Sequence, residues 1–151
     1  MKKVVIGLVA LTLTVALGTG ATYVFNRVFV RFESVAVGSI VMPPDGRGGF
    51  TSYKASDGVN LNFDRLEFPS TDQARDAFQK VLSRSTKILQ REVLHDQEGK
   101  AIVGERVVAM FPADHGREWP MVVCVDRAKL YEISSTSLKH IALFEKAHRR
   151  Y

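Results

Sequence analysis

A single cysteine in 151 residues closes no intramolecular disulfide and supplies neither a CxxC redox pair nor a zinc knuckle. Disulfide scaffolds and cysteine-rich metal sites are thereby excluded. The phosphate-cradling patterns GxGxxG and GxxxxGK[ST] are absent, as are the HExxH helix, the GxSxG elbow and any internal repeat. His95, His115, His140 and His148 have no metal-ligand spacing, and the sequence implies no cofactor. Cys124, within Val122-Val123-Cys124-Val125, reads as an inert core thiol because an apolar setting raises its pKa. Ser134, Ser135 and Ser137 precede His140, but serines at a helix start are accounted for by capping.

Charge is missing from one long stretch. After Lys2 and Lys3, the 22 residues from Val4 to Phe25 carry none. As a helix they reach roughly 33 Å, enough for a hydrocarbon core of about 30 Å. This predicts a membrane-spanning signal anchor over residues 1–27. Cleavage after Ala16-Leu17-Gly18 or Thr19-Gly20-Ala21 is the alternative and would give a secreted product. The extension through Thr22, Tyr23, Val24 and Phe25 favours retention. The lysines directly before the run place the short N-terminal tail in the cytoplasm, so the remainder faces outward as a single-pass, extracytoplasmic domain. Gly7, Ala10, Thr14, Gly18 and Ala21 form a stripe of small residues, a candidate packing face for another transmembrane helix.

The net charge of +5 has a simple origin. Of 21 Lys plus Arg, five (Lys2, Lys3, Lys146, Arg149 and Arg150) lie outside the interval Arg27–Glu145, which holds all 16 Asp plus Glu and so balances at 16 against 16. A neutral domain without basic and aromatic interleaving does not read as a nucleic-acid binder. The tail residues Lys146, Arg149 and Arg150 are candidate contacts for anionic lipid headgroups.

Residues 28–49 read as a juxtamembrane segment and a Pro/Gly linker, since Pro43-Pro44-Asp45-Gly46-Arg47-Gly48-Gly49 combines extended prolines with loosening glycines. Residues 50–151 read as one α+β domain. Ser56-Asp57-Gly58 marks a hairpin, with Val59, Leu61 and Phe63 alternating before Leu66 and Phe68 change parity, which suggests a bulge near Asp64-Arg65 or the end of the strand. Ser70 and Gln73 form a capping box. The helix it opens has the apolar period Ala74, Ala77, Phe78, Val81, Leu82, Ile88 and Leu89, beside a basic stripe of Lys80, Arg84, Lys87 and Arg91. Val107–Phe111 and Met121–Val125 read as strands covered on both faces. A last helix is expected from residues 135–137 to His148, buried through Leu138, Ile141, Ala142 and Phe144. The implied order is ββαββββα: a small antiparallel sheet of about six strands, one long amphipathic helix and a C-terminal helix.

The loop from Pro112 to Pro120 concentrates Asp114, His115, Arg117 and the sole tryptophan, Trp119, and is the candidate partner or ligand contact. No catalytic constellation accompanies it. The expectation is a non-enzymatic, membrane-anchored accessory, scaffold or assembly protein whose partner is another protein, with a second membrane protein as one candidate. Two alternatives stand beside it: a periplasmic hydrolase or small-ligand-binding domain using the 112–120 loop, and a sensor of anionic lipid surfaces.

Overall fold

The computed structural model describes residues 30–43 and 45–148. The anchor expected over residues 1–27, with its stripe Gly7, Ala10, Thr14, Gly18 and Ala21, and the tail residues Arg149 and Arg150 lie outside the described residues. Among these no helix is long and apolar enough to cross a membrane.

Seven strands form one antiparallel sheet: β1 (Phe32–Met42), β2 (Gly46–Ala55), β3 (Asn60–Glu67), β4 (Lys87–His95), β5 (Ile102–Pro112), β6 (Glu118–Asp126) and β7 (Lys129–Ser135). Helix α1 (Thr71–Leu82) separates β3 from β4, and α2 (Leu138–His148) closes the chain. The spatial order β1-β2-β3-β7-β6-β5-β4 joins two meanders through the β3–β7 pair, in register at Phe63–Ile133. The α+β class and the antiparallel sheet agree with the sequence reading; the strand count is seven instead of six.

The added strand comes from the expected spacer. Residues 38–49 are not a loose linker: β1 and β2 pair from Phe32–Ala55 to Met42–Gly46, around a loop at 43–45. The glycines serve close approach rather than looseness. A Cβ on Gly48 would lie 1.8 Å from the Arg65 carbonyl oxygen, and one on Gly46 would lie 2.4 Å from the Phe68 ring.

The parity change at Leu66 is not a bulge, because β3 pairs regularly with β2 and β7 throughout. Its cause is burial on both faces. Leu66, Val107, Val123, Val125 and Leu130 pack under Ala74, Ala77, Phe78 and Val81 of α1. Leu61, Val108, Val122 and Ile133 pack on the other face under Ile141 and Phe144 of α2. The continuous apolar runs of β5 and β6 therefore fill both sides, as read.

Helix α1 opens as expected, with the Ser70 hydroxyl accepting the Gln73 N–H at 3.2 Å. It ends at Leu82, far short of Leu89. Ser83 and Ser85 donate hydroxyl hydrogens to the Lys80 and Leu82 carbonyls, and the Thr86 N–H already bonds Met110 of β5. Ile88 and Leu89 thus belong to β4 and are 47% and 41% exposed. Lys80 and Arg84 share no helical stripe with Lys87 and Arg91, which lie in the strand. In α2 the buried side is His140, Ile141, Phe144 and Glu145; Leu138 and Ala142 are exposed.

Candidate functional site

The loop singled out by composition lies between β5 and β6. Asp114–Gly116 makes one 3-10 turn, with His115 in the left-handed region at φ 59°, and the Ala113 N–H closes the loop on the Arg117 carbonyl at 2.8 Å. Asp114, His115 and Arg117 are exposed, and Trp119 is 44% exposed across from Phe111. With Thr136 these four side chains line a concavity of about 410 Å³. The loop is thus a polar and aromatic contact surface on a rigid sheet end. His95 is remote from it: it pairs with Ile102, and the 11 residues of β5 separate that end from Pro112.

His140 lies nearer, and its surroundings hold an arrangement that the sequence did not disclose. Its ring is 5% exposed. Nδ1 is 2.8 Å from the Ser137 hydroxyl, and Nε2 is 3.0 and 2.8 Å from the two Asp57 carboxylate oxygens. Burial pushes the Asp57 carboxyl up, but the hydrogen bond and charge from His140, with backbone N–H groups at the turn, hold it below its ordinary value. With Nε2–H donating to Asp57, Nδ1 accepts the Ser137 hydroxyl, giving a Ser–His–Asp order of hydrogen bonds. Ser137 also opens α2, since its main-chain carbonyl accepts the His140 and Ile141 N–H groups at 3.1 and 3.2 Å. The 410 Å³ concavity is lined by Thr136, not by Ser137 or His140. The arrangement therefore clamps the β2–β3 turn to α2. The Ser137/His140 spacing was visible in sequence; Asp57, 83 residues from His140, was not.

A second concavity, about 310 Å³, lies beside Glu145 of α2, over Leu94, Arg106, Cys124 and Tyr131. Arg106 makes a two-pronged pair with Glu145, at 2.7 and 2.6 Å, and both side chains are largely buried. Burial, with a further push from Asp126, raises the Cys124 thiol to about 12, so it is not a nucleophile. Lys146, the described member of the basic tail, is exposed on the outer side of α2.

On the α1 face, Asp64 and Glu132 stand directly opposite across the β3–β7 seam. Burial and the Asp64 charge push the Glu132 carboxyl up to about 7, and Arg84 only partly offsets them. One Glu132 oxygen is buried without a hydrogen-bond partner. Among the described residues no three His, Cys, Asp or Glu side chains converge as a metal site.

The two sheet edges differ in character. β4 carries Lys87, Arg91 and Glu92 and is broken by two register shifts. β1 has a single shift, between Ser34 and Ala36, after which Ala36–Met42 runs without charge or interruption. Val37 and Val41 are 75% and 71% exposed along it. No protein-family model, curated protein or solved structure matches the chain.

Proposed function

We propose that this chain is a single-pass, membrane-anchored accessory or assembly protein that presents the β1–α2 domain outside the cytoplasm and works by binding another protein. The observation that carries this reading is the β1 edge: its uncharged stretch Ala36–Met42, with exposed Val37 and Val41, follows in sequence on the apolar Val4–Phe25 run. Exposed hydrophobic edge strands are costly to leave open, and strand addition is a common way for a partner to cover them. Inert placement of Cys124 and the clamping geometry of His140 are in keeping with a non-enzymatic role.

Copurification of the full chain from native membranes after mild crosslinking, with N-terminal sequencing of the same sample, tests the reading. A specific adduct on a chain that retains Met1–Phe25 is the expected result. Recovery of monomer alone, or of a chain cleaved before residue 27, would overturn it.

The concavity of about 410 Å³ at Asp114, His115, Arg117 and Trp119 favours a second reading, capture of a small polar ligand there. Quenching or enhancement of Trp119 fluorescence by a ligand library, lost in Arg117→Ala, is its signature.

A further inference from the structure

We infer that the β1 edge pairs with the β1 edge of a second copy of this chain, antiparallel and centred on Ser39. The inference rests on the membrane-anchored reading, which places residues 4–25 in the bilayer and leaves the edge of β1 to a partner in the same membrane.

The register follows from the strand itself. Ser39 is the midpoint of Ala36–Met42, the stretch left unbroken after the shift at Ser34/Ala36. An antiparallel pair centred there sets Ser39 opposite its own copy and Val37 opposite Val41 on both sides of the axis. The two most exposed valines among the described residues then cover one another on the α2 face. The other face brings Gly38 opposite Ile40 and Ala36 opposite Met42, with no charge anywhere in the seven-residue contact. Like charges or a lysine at such an edge would prevent pairing, and β4 carries charges of that kind while the Ala36–Met42 stretch of β1 does not.

Centring on Val37 instead would bury Glu33 against Val41, which makes the Ser39 register the favourable one. An edge contact this short covers less than the roughly 1,000 Å² of a free-standing interface. Confinement of both copies to one membrane raises their effective concentration and offsets that deficit.

Oxidative crosslinking of full-length chains in native membranes tests the register. Ser39→Cys alone should give a disulfide-linked homodimer, at least about tenfold above Val37→Cys alone, because only residues at the axis bring their own Cβ atoms within about 4.5 Å. Coexpressed Val37→Cys and Val41→Cys chains should crosslink to each other. Adding Val37→Lys to Ser39→Cys should abolish the dimer, and at this exposed position the domain stays folded. Stronger self-crosslinking of Val37→Cys than of Ser39→Cys would overturn the register. Capture of a different protein by Ser39→Cys would overturn the second copy as occupant while leaving the membrane-anchored reading intact. Monomer at all three positions would overturn the inference, and the copurification would then decide the broader reading separately.

Discussion

Glu132 is the residue whose environment costs the fold most visibly. Its carboxyl is largely buried beside Asp64, one oxygen has no partner, and its pKa is about 7 against an ordinary 4.5. Burial also raises Asp64. A carboxyl raised in the folded state binds its proton more tightly there than in the unfolded chain. Stability from this pair is therefore fullest below pH 4.5, falls as pH rises toward 7, and stays reduced above it. The cost at pH 8 is at most about 3 kcal/mol for Glu132. Glu132→Gln should raise the urea midpoint at pH 8 and flatten the pH dependence between 4.5 and 7; an unchanged midpoint would show that the carboxylate is solvated after all. The composition offered sixteen acidic residues with no means of choosing among them. Cross-strand register, not spacing, made this pair. The Asp57–His140 contact is likewise absent from local sequence, because it comes from docking α2 on the β2–β3 turn.

Among the elements, α1 and β2 depart most from expectation, for different reasons. The α1 apolar period continues by coincidence into Ile88 and Leu89, while Ser83 and Ser85 end the helix by bonding its last carbonyls and Thr86 turns to Met110 of β5. The β2 glycines look like a flexible linker in composition, yet each sits where another part of the fold comes close. Gly48→Ala tests this. Its Cβ would meet the Arg65 carbonyl at 1.8 Å, a backbone atom that cannot step aside, so a loss of about 2 kcal/mol or more in chemical denaturation is expected. Gly99→Ala, in open space at φ +70°, should cost only about 1 kcal/mol. Equal effects would mean that β2 is not held against β3 at this point.

For the whole molecule, the β3–β7 seam decides cohesion, since it is the only strand pairing that joins the two meanders among the described residues. Both helices straddle it. Phe144 of α2 packs against Tyr53 and Phe63 from one meander, while Ile141 sits in the same cluster as Val122 and Ile133 from the other. Ile133→Ala should therefore lower global stability by about 2–5 kcal/mol in a single transition seen equally by Trp119 fluorescence and circular dichroism. Two separated transitions would show that the meanders fold independently. By itself the sequence determined the apolar N-terminal run, the neutral charge balance, the Ser70 cap, the Ser56-Asp57-Gly58 hairpin and the doubly covered strands β5 and β6. These are local in origin, written in runs, periods and turn residues over a few positions. The tertiary structure alone decided the seventh strand, the early end of α1, the Asp57–His140 clamp, the Asp64–Glu132 pair and the contrast between a guarded β4 edge and an open β1 edge. Each depends on which strand lies beside which, and that order is set by burying two apolar faces under two helices at once.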